Sequence, residues 1–190
     1  MSESDITKRA ISQALEHLCH KKRFDKISIS DITQACGLNR QTLYYHFANK
    51  YDLLDWTYRR LSFHYLEEGT TLDNWDEHVL AMLVTIQSHR DFYRNTTSSD
   101  PSILANSFSV ITNKLFAALI NRFDSEKRIQ ESDGIFYSNF FSYGCCGILL
   151  SWIMHGFKDS AQTIANQLFR LAKDVEILAY RLLQEKNQTI

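Results

Sequence analysis

An all-α fold is what this sequence predicts: a three-helix headpiece over residues 1–49, a connecting helix beginning near residue 50, and a helical bundle filling the remainder of residues 50–190. Three observations carry that expectation. Apolar residues recur at spacings of three and four, the helical period, and do not alternate as in strands. The 190 residues include one proline and six glycines, too few for a sheet-rich or loop-rich chain. Short polar residues able to cap a helix stand where the apolar runs of the headpiece begin.

The first helix follows from Ile6, Ala10, Ile11, Ala14, Leu15, Leu18 and Cys19, and the basic cluster Lys21, Lys22, Arg23 closes it. Phe24 and Ile27 anchor a short connector. Ser28 with Asp31 three residues on forms a capping arrangement that starts a second helix through Ile29, Ile32 and Ala35. Gly37 stops it, because glycine readily adopts the left-handed backbone of a sharp helix exit. Asn39 caps a third helix over residues 40–47, and Asn49 a fourth that begins near Lys50 and runs through Leu53, Leu54, Thr57, Tyr58 and Leu61. Beyond Gly69 the expected elements are a helix over 75–89, a polar break over 95–101, a helix over 103–123, a charged connection over 124–133, an uncharged helix over 134–156, and a final helix over 161–184.

The chain is 44% apolar and 23% charged, enough to bury a substantial core. Net charge is −1, yet residues 1–60 hold 10 Lys and Arg against 7 Asp and Glu, and the remainder 11 against 15. A basic headpiece on an acidic body suits a nucleic-acid partner, although a difference of that size decides nothing alone. Cys19, Cys36, Cys145 and Cys146 follow no disulfide framework and the opening MSESDITKRA lacks the regions of a signal peptide, so a cytoplasmic chain is expected. Residues 134–157 carry no charge over a length that could span a bilayer. Ser138, Asn139, Ser142, Ser151 and His155 interrupt them, which favours a helix buried in protein and no membrane partner.

Two helices joined by a short turn containing glycine, the second opening on hydrogen-bonding side chains, make a helix-turn-helix. In such a unit the second helix enters the major groove, and here it would present Asn39, Arg40, Gln41 and Thr42. Arg suits guanine, Gln suits adenine, and Thr can bond a phosphate or touch a thymine methyl.

The stretch ISISDITQACGLNRQTLYYHFANKYDLL closely resembles the TetR family of regulators, with the match extending over about residues 6–60. Its markers are Gly37-Leu38, Thr42-Leu43-Tyr44, His46-Phe47, and Lys50 followed by Leu53. The resemblance implies that Arg40, Gln41, Thr42 and Tyr45 face the groove, that Tyr44, His46 and Lys50 meet phosphates, and that Leu38, Leu43 and Phe47 are core. With Ser28 and Asn39 at the two caps, these polar residues form the expected DNA-facing set. Tyr51 departs from the family, where acidic residues are common at this place. Lys21, Lys22, Arg23 and Lys26 form a basic edge, from which one or two phosphate contacts could come.

In the body, Ala161, Ile164, Leu168, Leu171, Val175, Leu178 and Leu182 draw a heptad seam, and Gly144, Gly147 and Ser151 share a face of small residues on the preceding helix. The resemblance implies that these two helices pair with their symmetry mates, giving a homodimer on a pseudo-palindromic double-stranded DNA operator; packing inside one monomer is the alternative. A small-molecule effector pocket would be lined from the body's aromatic residues, with Phe108, Phe136, Phe140, Tyr143 and Trp152 as candidates, although aromatics at helical spacing are more often plain core. KYDLLDW and the short body are similar to the DhaS-like activator branch of the family. That likeness implies a sensing partner protein in place of a bound metabolite.

No cofactor, metal or catalytic residue is expected. His17, Cys19 and His20, or Cys145, Cys146 and His155, are the nearest approach to a metal set, and neither has the spacing of a four-ligand site. There is no phosphate-cradling glycine loop or nucleophile elbow, and His64, His78 and His89 have no evident partners in sequence.

Overall fold

The computed structural model describes residues 2–67, 74–124 and 129–188, the side chains of Phe123 and of residues 175–188 excepted. All regular structure among the described residues is helical. The order is α1 (Glu3–Cys19), a 3₁₀ turn (Phe24–Lys26), α2 (Ile29–Cys36), α3 (Arg40–His46), α4 (Lys50–Tyr58), a π-helical segment (Arg59–Phe63), α5 (His64–Glu67), α6 (Trp75–Ser88), α7 (Arg90–Ser99), α8 (Pro101–Phe123), α9 (Glu131–Met154) and α10 (Ala161–Gln188).

The headpiece is closed locally by its caps. Ser2 and Asp5 form a reciprocal box at the start of α1, and Ser28 and Asp31 do the same for α2. Each box satisfies amide groups that the first turn leaves without a partner. The inward faces of α1 to α4 supply Ile11, Leu15, Ile32, Leu43, Phe47, Leu53 and Leu54, and the connector supplies Phe24 and Ile27; all are buried. This core continues without a gap into the body through Tyr58, Phe63, Phe92, Tyr93, Leu104 and Phe108.

Polar side chains bridge the same junction. The Ser12 and Thr57 hydroxyls lie 3.0 Å apart, Arg60 donates to Ser12 Oγ at 3.2 Å and pairs with Glu16, and Ser62 lies 2.6 Å from the Tyr93 hydroxyl. The connecting helix leaves α-geometry where Arg60 and Ser62 make these bonds, and π-helical turns are found at such functional junctions.

The body corrects the sequence reading in one place. Residues 95–99, expected as a break, complete α7, and the chain turns only at Asp100. Hydroxyls that compete with helical hydrogen bonding in other settings here donate to carbonyls one turn back: Thr96 to Phe92, Thr97 to Tyr93 and Ser99 to Asn95. Asp100 then caps α8 through the Ser102 amide at 3.0 Å, with Pro101 in the first turn.

α9, expected to be buried in protein, is covered on one side within the monomer. One side packs along α8, where Thr112 Oγ1 lies 2.7 Å from Ser142 Oγ and Asn113 donates to Asn139 at 2.8 Å. The other side is bare. Ile135, Phe136, Tyr137, Phe140, Tyr143, Ile148 and Met154 are all exposed. By length and composition α8 is the described helix that would suit a bilayer, an 18-residue window within Pro101–Arg122 reaching a mean hydropathy of 1.5. In this fold it is the helix that carries Leu104, Phe108 and Ile111 into the core.

A turn with Gly156 and Phe157 both at positive φ leads from α9 to α10. Phe157 is held there by its ring against Trp152, 4.8 Å between centroids. The start of α10 packs on α6, with Ala161, Ile164 and Ala165 buried and the Ala161 amide donating to Gln87 at 3.2 Å.

Candidate nucleic-acid interface

The recognition unit is α2, a turn of Gly37, Leu38 and Asn39, and α3. Gly37 sits at φ 69°, and the bonds from Leu38 N to Thr33 O at 3.0 Å and from Gly37 N to Gln34 O at 3.4 Å close the helix exit. A Cβ at Gly37 would meet no atom within 4 Å, so the requirement for glycine there is backbone conformation and not space. Asn39 Oδ1 accepts from the Thr42 amide at 2.7 Å and from the Thr42 hydroxyl at 3.0 Å. These bonds fix the first turn of α3 before any ligand arrives.

The seven residues of α3 divide cleanly by face. Leu43 is fully buried, and Phe47, just past its end, is buried against Trp56 with ring centroids 5.8 Å apart. Arg40, Gln41, Tyr44 and Tyr45 are exposed, Tyr44 at 54% and Tyr45 at 83%. Tyrosines left that bare on a short, well-capped helix extend the polar face outward. His46 is half-buried, its ring edge-on to Tyr45 at 5.0 Å. Arg40 hydrogen-bonds Ser30 of α2, a partner that the sequence reading missed and that aims the guanidinium along the outside of the pair.

Lys50 differs from expectation. Its ammonium donates to the carbonyls of Phe24 at 3.1 Å, Asp25 at 3.2 Å and Ile27 at 3.0 Å, and lies 4.8 Å from the centre of the Phe24 ring. All three protons thus serve the connector between α1 and α2, and partial burial lowers the lysine pKa from its ordinary value. In this conformation Lys50 is an internal clamp, its ammonium engaged by the connector. Ser28, also counted with the DNA-facing set, is exposed but occupied: its hydroxyl donates to Asp31 at 2.8 Å and accepts from the Asp31 amide at 3.1 Å.

Lys22 pairs with Asp31 at 2.8 Å and Arg23 with Asp25 at 3.1 Å, while Lys21 and Lys26 stand exposed on the same edge. The basic edge is therefore partly neutralised within the headpiece.

The residues proposed for an effector do not converge. Phe108 and Trp152 are buried core side chains, the first 5.3 Å from the Phe63 ring and the second donating its indole N–H to Asp159 O at 2.9 Å. Phe136, Phe140 and Tyr143 lie on the bare side of α9. An aromatic pattern at helical spacing cannot distinguish these two situations, because both need the same period. The five residues do not line one cavity.

That bare side is where the small residues lie. Gly144, Gly147 and Ser151 are exposed, in register with Phe136, Phe140 and Tyr143. On α10 the expected interface divides: Ile164 is buried inside the monomer against α6, Leu168 is half-buried, and Leu171 is 52% exposed. Ile164 is thus corrected to a core residue; Val175 and Leu178 lie outside the described side chains.

Among the described residues no group of three or more His, Cys, Asp or Glu side chains is placed to hold a metal ion. Burial pushes the Cys19 thiol up to about 12 and the Cys145 thiol to about 11, which disfavours the thiolate a metal or a redox reaction would need.

Comparison with known proteins agrees with this geometry. Residues 11–55 match the model of bacterial regulatory proteins of the tetR family, and residues 73–174 that of a transcriptional regulator C-terminal region. The chain is 25% identical over 175 residues to the HTH-type dhaKLM operon transcriptional activator DhaS of Lactococcus lactis, covering 90% of this chain and 91% of that protein. A solved structure of the dihydroxyacetone kinase operon activator DhaS superposes with a TM-score of 0.68 at 25% identity, over 90% of this chain and 97% of that one. NalD of Pseudomonas aeruginosa, a repressor of a multidrug efflux pump, shares the fold with a TM-score of 0.59 at 19% identity, over 88% and 95% of the two chains. The chain belongs to the TetR family of bacterial transcriptional regulators, and α2 and α3 are its DNA-binding helix-turn-helix.

Proposed function

We propose that the protein acts in the cytoplasm as a homodimer that reads a pseudo-palindromic double-stranded operator with two copies of α3, and that its body sets their separation. The observation that carries this reading is the division of α3 into a buried face of Leu43 and an exposed face of Arg40, Gln41, Tyr44 and Tyr45. Arg40 and Gln41 supply base-edge chemistry, Thr42 and the two tyrosines supply phosphate and sugar contacts, and His46 borders them. The bare apolar side of α9, with Gly144, Gly147 and Ser151 allowing close approach, supports pairing with a second copy, extended by Leu171 on α10. A two-fold axis there would set the recognition helices about one DNA turn, roughly 34 Å, apart.

A second reading concerns regulation. The 25% identical relative is named as a transcriptional activator, which supports activation as this protein's output; a sensing partner protein as its input is what the family resemblance implies. The depression on α8 and α9, about 310 Å³ and lined by Ser109, Val110, Asn113, Lys114, Asn139, Ser142 and Tyr143, is open to solvent and presents mostly apolar surface. Such a surface suits protein contact better than enclosure of an apolar metabolite.

Arg40→Ala and Tyr44→Ala test the reading, measured as binding to duplex DNA from upstream of the protein's own gene. Losing one bidentate arginine contact should cost about 1–3 kcal/mol, roughly five- to 150-fold in affinity, with the oligomer unchanged. Two variants that bind as the wild type does would remove α3 as the reading helix.

A further inference from the structure

One side chain of the body holds three backbone groups of the headpiece. Asn95, in the middle of α7, accepts from the Phe24 amide at 2.8 Å and donates to the carbonyls of Cys19 at 2.5 Å and Lys22 at 3.0 Å. Cys19 and Lys22 belong to the end of α1 and the residues just after it, where carbonyls have no intrahelical partner. Phe24 opens the 3₁₀ turn that leads into α2. A carboxamide alone among short side chains both accepts and donates twice, so the three bonds together require asparagine chemistry.

The same turn is gripped from the other side. Lys50, at the start of α4, takes the carbonyls of Phe24, Asp25 and Ile27, so the Phe24 peptide region is bonded to α7 through its N–H and to α4 through its C=O. α7 packs both on this turn and on α9, the helix with the bare apolar side. Any displacement of α7 relative to α4 must therefore pull on the segment from which α2 and α3 project.

We propose that Asn95 is a positioning residue for operator recognition: it registers each headpiece to the body and thereby sets which half-site spacing the protein accepts, without touching DNA. This rests on the paired, two-half-site reading above. Asn95 acts on where the headpiece is held, whereas Arg40, Gln41 and Tyr44 act on which bases it meets.

The test uses the full-length wild type to select duplexes from a random DNA library, followed by synthetic duplexes carrying the selected half-sites at the selected spacing, one base pair shorter and one longer, and a single half-site. Binding is measured by fluorescence anisotropy for wild type, Asn95→Ala and Asn95→Asp. The aspartate keeps an acceptor for Phe24 but sets a carboxylate against the Cys19 and Lys22 carbonyls. Wild type should lose about tenfold or more when the spacing changes by one base pair. Both variants should bind the single half-site as wild type does and lose about tenfold on the selected spacing, with less than about threefold discrimination among the three spacings. Variants that keep the wild-type spacing profile overturn the proposal, and so do variants that lose the single half-site or the helical circular dichroism, since Asn95 would then only hold the fold together. A wild type indifferent to spacing removes the paired reading itself, and this inference with it.

Discussion

The headpiece and the body finish their surfaces in opposite ways. Around α2 and α3 the apolar side chains are inside, the helix starts are capped by Ser28 and Asn39, and what faces outward is Arg40, Gln41 and two tyrosines whose hydroxyls reach solvent. Along α9 the outward face is Phe136, Phe140, Tyr143 and Met154, with glycines between them. The first region is complete as a monomer and offers polar groups to a charged polymer. The second leaves large apolar side chains in water, the pattern of a surface that becomes core only on association. Folding information is therefore closed in the headpiece and open in the body.

The comparison breaks most severely if the open face is charged. Phe140→Asp with Tyr143→Asp places two carboxylates per chain on the bare side of α9, four across a two-fold interface. Sedimentation should then give the monomer of 22.2 kDa in place of twice that mass. Losing aromatic anchors of about 2–4 kcal/mol each on both sides should weaken binding to paired half-sites by more than about a hundredfold. Single half-site binding and helicity should be retained, because no described core contact of the headpiece involves these residues. A double variant that remains dimeric would place the interface elsewhere.

The closed region responds to the opposite change, made from within. Leu43 is fully buried on the inner face of α3, so Leu43→Ala should destabilise the chain by about 2–5 kcal/mol in a urea titration. The oligomer should survive under native conditions. If the loss is below about 1 kcal/mol, α3 is not seated on the core as the packing of Leu43 and Phe47 requires.

The same contrast explains what could be read in advance. Ser28, Gly37, Asn39 and Asn49 announce their helix ends because capping depends on residues within three positions of one another, and the face of α3 follows from its period. Ile164 and Leu171 lie on one heptad stripe, yet one is buried in the monomer and the other exposed, since periodicity gives a face but not the partner that covers it. Phe108 and Phe140 posed the same ambiguity. Asn95 was illegible for a different reason: it stands in the run NTTSS, which reads as a loop, and its partners lie more than 70 residues away. Lys50 was placed correctly at a helix start, but the carbonyls that claim its ammonium belong to a connector whose path only the fold determines.

The smallest effect sharpens the claim that the headpiece is closed by local electrostatics. The Lys22 ammonium, then the Ser28 amide and hydroxyl, hold the Asp31 carboxyl well below the usual carboxylate range. A carboxyl depressed in the folded state binds its proton more readily when unfolded, so the stability it contributes is fully present above its unfolded value, about pH 4, and is lost as pH falls toward the folded value. Asp31→Asn removes both the charge and that dependence. The urea midpoint of the variant should lie below wild type at pH 7, and the gap should begin to close as pH drops below about 4, where the unfolded wild type takes up the proton. Because Lys22 and Asp31 are both partly open to solvent, added salt should shrink the gap at pH 7 as well. A gap that is constant across this range would mean that the Asp31 carboxyl is not depressed in the folded state, and that neither Lys22 nor Ser28 favours its charged form.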